Sequence, residues 1–422
     1  MKKILLLFSF FSSTALLAQQ PDTINLDYCQ QLAMDNYPLI KQKDLLSEAS
    51  ALKIKNLNTA YLPQISLNGQ ATYQSAVTEI PQISPLFDFP SMSQDQYKIT
   101  LDVNQMIWDG GATAAQKKLE TSNLKAEQFN TDVEIAKIKE RINLIYFNIL
   151  LAQQHAKVVG NIQDELRSKL TKSEASVRNE VLLQSTADVL KAEIIKTEQQ
   201  LIEINNSKNA SLKMLSEYLN RPVHEYTILK YPEDIITETT YDNKRPEMHL
   251  FDQQMNKLEV SKSLANTKVM PRFMAFGQGG YGRPGFNMLS DDFEFFGIAG
   301  IKMSWNISGF YQSGREKRII DIQKNILNTQ KETFDKNLKV SSQKDAADIL
   351  KYKQLISKDE EIIALRQNIT KTASSQLENG VITATEYTTE LNAEMQAKFN
   401  LELHKIQMKM AEINYLTSMG KL

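Results

Sequence analysis

The chain has 422 residues with 49 basic and 50 acidic side chains, so its net charge is near zero and nothing points to nucleic acid or another polyanion as a partner. Its single cysteine, Cys29, excludes a disulfide framework and a thiolate metal cluster. His155, His224, His249 and His404 lie far apart with no paired spacing, so no metal or cofactor is expected. No GxSxG, HExxH or paired-carboxylate pattern appears, and the chain reads as a non-enzyme.

At the start, Lys2 and Lys3 precede an apolar run from Ile4 to Leu17, and Ala15 and Ala18 offer small-residue cleavage positions. Residues 1–18 are expected to be a secretory signal cut after Ala18, with Ala15 as the alternative. Cys29 lies too far downstream to carry a lipid anchor. No later segment reaches the roughly 20 apolar residues of a membrane helix. The nearest, Ile142 to Ala152, is short and interrupted by Asn143 and Asn148. Any membrane crossing must therefore use strands.

Leu26 to Asn36 reads as a short helix, and Asn36-Tyr37-Pro38 breaks it before a longer one to about Ala60. After Pro63, Gln64 to Val77 reads as a strand, followed by a loop marked by Pro81, Pro85 and Pro90. Tyr97 to Ile107 has the clearest period of two: Tyr97, Ile99, Leu101, Val103 and Ile107 face one way, Lys98, Thr100, Asp102 and Asn104 the other. The strand runs through Trp108-Asp109-Gly110-Gly111 directly into a long helix to about Ser176, interrupted at Arg178-Asn179-Glu180. A second helix follows from Gln184 to Leu219, ended by Arg221-Pro222, and a polar linker extends to about Tyr241. Two adjacent apolar stripes on each helix imply neighbours on both sides, as in a bundle or ring of helices.

The second half repeats this order. Pro246 answers Pro38 and Pro271 answers Pro63; later Ile301, Met303 and Ile307 answer Leu101, Val103 and Ile107. Arg315 to Asn379 holds neither glycine nor proline, enough for a helix of roughly 100 Å at 1.5 Å per residue. The expected organisation is a first repeat over 19–240, with a strand hairpin at 63–108 and a helical hairpin at 110–220. A second repeat over 241–422 has a strand hairpin at 271–308 and a helical hairpin at 310–420.

Four strands with one apolar face have exposed edges, and a sheet in lipid must close. The expected fold is therefore a mostly helical mixed α/β membrane protein, with four strands per protomer contributing to a closed barrel. Three copies give twelve strands. Trp108 and Trp305 both fall where a strand enters a helix, at the level of an interfacial belt; the alternative is two ordinary core tryptophans. Gly277, Gly279, Gly280, Gly282 and Gly285 suit the curvature and turn of barrel strands. Gly110 and Gly111 permit a bend at the first joint; the second has only Gly309, so the two are not expected to bend alike.

Several stretches, in order, resemble the TolC family of outer membrane factors over essentially the whole mature chain. They are Asn36-Tyr37-Pro38-Leu39-Ile40, Leu62-Pro63-Gln64-Ile65-Ser66, Gln105 to Gly111, Asp188 to Glu193, Arg245-Pro246-Glu247-Met248 and Glu378-Asn379-Gly380-Val381. The resemblance implies a homotrimer with a twelve-stranded β-barrel in the outer membrane, continued by an α-helical barrel across the periplasm. It also implies a passive exit duct of a tripartite efflux pump or type I secretion system. Its partners would be the lipid bilayer, a periplasmic membrane-fusion adaptor and an inner-membrane transporter of RND, ABC or MFS type.

The resemblance places adaptor contacts at the hairpin tips, Arg178 and Asn179 in the first and Asn379 and Gly380 in the second. Glu180 stands where the family has glycine, which questions the first turn's geometry; the plainer reading is that both tips are simple helix turns. Glu386 stands where the family often has an acidic pore ring, against the plainer reading of a solvated helix face. Val381 and Ile382 are candidates for an apolar constriction, and Ile382 excludes a salt-bridge gate at its position. Asp102 and Lys302 align across the repeat and either pair or line the lumen. A soluble periplasmic coiled-coil protein resembling an adaptor is the competing reading, weakened by two strand hairpins that each enter long helices.

Overall fold

The computed structural model describes residues 23–77, 92–232, 243–287 and 290–421. The expected signal sequence and the loop around Pro81, Pro85 and Pro90 lie outside these residues. In chain order the elements are β1 (Thr23–Ile24), α1 (Leu26–Asn36), α2 (Gln42–Asn58), β2 (Gln64–Tyr73) and β3 (Asp95–Trp108). Then come α3 (Ala112–Arg178), α4 (Gln184–Leu219), β4 (Ile228–Leu229) and α5 (Pro246–Thr267). The rest are β5 (Arg272–Arg283), β6 (Glu294–Ser304), α6 (Phe310–Glu378) and α7 (Ala384–Ser418).

Local chemistry sets most of these limits. Asn25 caps α1 by accepting from the Tyr28 amide at 2.8 Å, and α1 ends at Asn36, two residues before Pro38. α5 starts on Pro246, whose missing amide proton costs nothing at a first helical position. α4 closes on Asn220, in the left-handed region at φ 48°. β2 is shorter than its sequence pattern, because pairing with β3 ends at Tyr73↔Asp95.

Contacts divide the chain into two compact units, each drawing on both halves of the sequence: residues 1–37, 135–242 and 340–422 in one, 38–134 and 243–339 in the other. The first unit is helical around two cores. One joins Leu26, Cys29 and Ala33 of α1 to Ile142, Tyr146 and Ile149 of α3, with Leu212, Leu215 and Leu219 of α4 and Ile406 and Ile413 of α7. Beside it β1 and β4 pair in parallel, and the buried Tyr146 hydroxyl donates to the carbonyls of Ile24 (3.1 Å) and Lys230 (2.7 Å). The other core sits at the hairpin ends, where Val159, Ile162 and Leu166 of α3 meet Leu190 and Ile194 of α4. Ala373 and Leu377 of α6 and Tyr387 and Leu391 of α7 complete it.

The second unit is built on an antiparallel sheet of order β2-β3-β5-β6. α2 is tied to the start of α3 by Lys43–Asp132 and Lys53–Glu120 ion pairs, and α5 to the start of α6 by Lys262–Asp321 and Lys331–Asp252. No helix among the described residues is long and apolar enough to cross a membrane.

Candidate functional site

In-register pairing decides which side chains share a face of the sheet. Ile65, Leu67, Ile99, Leu101, Val103, Phe273, Tyr281, Phe295, Ile301 and Met303 fall on one face. Leu67, Ile301 and Phe295 are 72%, 73% and 87% exposed there, which in water would be a severe hydrophobic penalty. The opposite face carries Ser66, Asn68, Gln70, Lys98, Thr100, Asp102, Asn104, Gln278 and Lys302. Its apolar residues are Met106 of β3 and, on β5 and β6, Met274, Phe276, Phe296 and Ile298, the rings of Phe276 and Phe296 lying over Gly300 and Gly280. A Cβ on Gly280 would stand 2.5 Å from the Phe296 ring, so that strand position accepts only glycine. Both edge strands, β2 and β6, pair on one side only.

Asp102 and Lys302 share the polar face without pairing. Asp102 sits opposite Gln278 and accepts from Gln278 (2.5 Å), Asn68 (2.5 Å) and Thr100 (3.1 Å), whereas Lys302 sits opposite Met274. Trp108 and Trp305 lie at one end of the sheet and are half-exposed. Trp108 is in register with Phe273, their rings 6.0 Å apart, and Trp305 follows Ser304, which is opposite Arg272. The Trp305 indole donates to the Val269 carbonyl at 3.0 Å.

The two strand-to-helix joints differ. At the first, Gly110 and Gly111 have φ of +73° and +83°. Asp109 fixes the turn, accepting from the amides of Gly111 (2.9 Å) and Thr113 (2.6 Å) and from the Tyr61 hydroxyl (2.8 Å). A Cβ on Gly110 would lie 2.6 Å from that of Met270, so no larger residue fits. At the second joint a 3-10 turn over Ile307–Gly309 does the same work, with Asn306 accepting from the Gly309 amide at 3.2 Å. Periodicity alone does not reveal the role of Asp109, although an acid just before a helix start is a recognisable cap signal.

The hairpin tips share one turn geometry. In the first, the Asn179, Glu180 and Val181 amides donate to Ala175, Val177 and Ser176; in the second, those of Asn379, Gly380 and Val381 donate to Ser375, Leu377 and Gln376. Glu180 has φ 61° and Gly380 φ 69°. The glutamate thus takes the left-handed conformation that glycine takes without strain, and the turn is kept. Arg178, Asn179, Asn379 and Gly380 are all exposed, and Val181, Leu183 and Val381 stand beside them as exposed apolar side chains.

Polar contacts tie the ends of α3, α6 and α7 together. Glu378 accepts from Lys169 (2.6 Å) and Lys172 (3.1 Å), and these hydrogen bonds, with the lysine charges next, hold its carboxyl below the usual range. The buried Tyr387 hydroxyl donates to Glu165 at 2.9 Å, and burial, with that carboxylate next, raises its pKa. Glu386 has a structural task as the far member of a capping box: its Oε2 accepts from the Thr383 amide (2.8 Å) and hydroxyl (3.0 Å). These bonds, the backbone one first, lower its pKa. Glu386 and Ile382 line a cleft of about 590 Å³ between α6 and α7, together with Ile369, Ala373, Gln376 and Glu390. Val381 does not line it and is exposed. The Thr383-Ala384-Thr385-Glu386 spacing is itself a capping-box signature that the sequence already displays.

A sheet with one apolar face and two open edges, its strands running into long paired helices, is also found in solved outer membrane channels. Solved structures of such channels have it over nearly the whole chain. VceC from Vibrio cholerae matches with a TM-score of 0.67 at 12% identity, covering 94% of this chain and 96% of that one. CmeC from Campylobacter jejuni gives 0.66 at 13%, covering 94% and 85%. The open state of MtrE from Neisseria gonorrhoeae gives 0.64 at 12%, covering 94% and 89%. No protein-family model and no curated protein matches the sequence. At these identities the likeness is one of fold.

Proposed function

We propose that this chain is the outer membrane exit duct of a tripartite efflux pump or type I secretion system, a passive conduit from the periplasm to the exterior. The observation that carries the reading is the sheet. An exposed apolar face on four paired strands needs lipid, and its two unpaired edges need further strands. Three copies joined β6 to β2 would make a closed twelve-stranded barrel. From Phe273 to Tyr281 the apolar face runs eight residues, about 27 Å along a strand and about 20 Å of membrane depth at a tilt of ~40°. Tryptophans at one end and Tyr281, Phe293 and Phe295 at the other supply the interfacial aromatics such a band requires. In this reading the polar face, with Asp102 and Lys302, lines the lumen.

The matching hydrogen bonds around Glu180 and Gly380 support an internal duplication. The exposed tips, with Arg178, Asn179, Asn379 and Gly380, are where a periplasmic adaptor would dock, the transporter lying beyond it in the inner membrane. Glu386, with Val381 and Ile382, would form the narrowest part of the helical end. Membrane fractionation with chemical crosslinking tests the proposal: a crosslinked oligomer in outer membranes supports it, and a soluble monomer released by osmotic shock refutes it.

A further inference from the structure

The polar face of the sheet does not distribute its charge evenly. Lys98 and Glu294 stand at one register level, on either side of Gly282. Asp102, near the middle, is fully occupied by Asn68, Thr100 and Gln278. At the end nearest the helices, Arg272 lies opposite Ser304 and Lys302 opposite Met274. The two cations are therefore diagonal neighbours on one face, about 7 Å apart. Both are exposed, and among the described residues neither has a carboxylate partner. Asp102 is four residues further along, about 14 Å, beyond the screening length of roughly 8 Å at physiological salt. Glu316, early in α6, is already held by Lys268 at 3.1 Å.

We propose that Arg272 and Lys302 form a cationic binding level inside the barrel, at its junction with the helices, that engages anionic groups on the transported solute: phosphate, sulfate or carboxylate. The inference rests on the trimeric duct reading, in which three copies bring six such charges around one water-filled lumen. Arg272 contributes a planar fork of donors suited to an oxyanion, and Lys302 a mobile point charge beside it. Met274 between them and Met106 opposite Met274 add soft apolar contact, so an organic anion fits this level better than a fully hydrated ion. A ring of uncompensated like charge in a pore concentrates counter-ions by tenfold or more.

The test is anion block of single channels in planar bilayers, with inorganic tripolyphosphate added to the side faced by the strand loops. The wild-type channel should show voltage-dependent block at low salt. Arg272→Gln/Lys302→Gln should still form channels, with conduction shifted toward cations, and lose that block by about tenfold or more in half-blocking concentration. The exchanged variant Arg272→Lys/Lys302→Arg, which keeps both charges, should retain it. Open wild-type channels that tripolyphosphate does not block, or equal block of wild type and the double glutamine variant, overturn the proposal while leaving the duct intact. A wild-type protein that forms no channel at all overturns the duct reading itself and this proposal with it.

Discussion

Gly380→Ala isolates what a left-handed residue contributes at a hairpin tip. Gly380 has φ 69°, and a Cβ built on it meets nothing nearer than the Leu182 side chain at 3.9 Å, an ordinary contact. No clash accompanies the change, so the cost is conformational. Placing an L-residue in the left-handed region costs about 1–2 kcal/mol, and the stiffer unfolded chain of alanine offsets about 0.4–1 kcal/mol of that. A net loss of about 1 kcal/mol corresponds to roughly fivefold more frequent opening of the turn. The probe is native-state hydrogen exchange at the Val381 amide, which donates to the Gln376 carbonyl at 2.8 Å. Exchange there should accelerate about fivefold in Gly380→Ala, and the Val181 amide should slow by a comparable factor in Glu180→Gly. Unchanged exchange at both amides would refute the view that the backbone conformation of Glu180 and Gly380 limits the tips.

The buried Tyr387 hydroxyl is Glu165's partner, so Tyr387→Phe should loosen the α3–α7 contact by about 1–2 kcal/mol, read as faster exchange in the first turns of α7. Glu386 and Glu378 have depressed folded pKa values, so their contributions are present at neutral pH and lost as pH falls through those folded values. Amides at the start of α7 and the end of α6 should therefore lose protection on acidification, and Glu386→Gln should weaken that dependence for α7. At the first joint, Asp109→Ala removes the acceptor of three hydrogen bonds and should cost about 2 kcal/mol, seen as faster exchange at Thr113. Leu101→Lys places a charge on the apolar face and should cost about 2–4 kcal/mol in lipid, lowering the yield of protein in outer membranes; an undiminished yield would argue against a lipid-facing role for that face.

Most of the fold was legible because its signals are local. Asn25 and Pro38 bracket α1, the two ends of α4 follow from where its apolar stripe starts and where Asn220 and Pro222 stop it, and the period of two in β3 announces a sheet with one apolar face. What the sequence does not display is partner choice. Nothing in the alternation of β3 says that β5 rather than β6 is its second neighbour, and so Asp102 meets Gln278 while Lys302 lies four residues away along β5. The pairing of β1 with β4 is only two residues long, below what any periodicity reveals. Glu180 raised a question about the first tip because glutamate is disfavoured at positive φ; the fold accepts that strain at an exposed turn closed by the same amide bonds as the second tip. Glu386, expected from resemblance to face a pore, also has a capping task that its spacing from Thr383 encodes.

The central claim is that three copies of this sheet close into one barrel in the outer membrane. Native mass spectrometry of the protein extracted from membranes in detergent tests it most directly. A complex of three chains is the predicted result, and a detergent-solubilised species of one chain, stable across detergents, would contradict it.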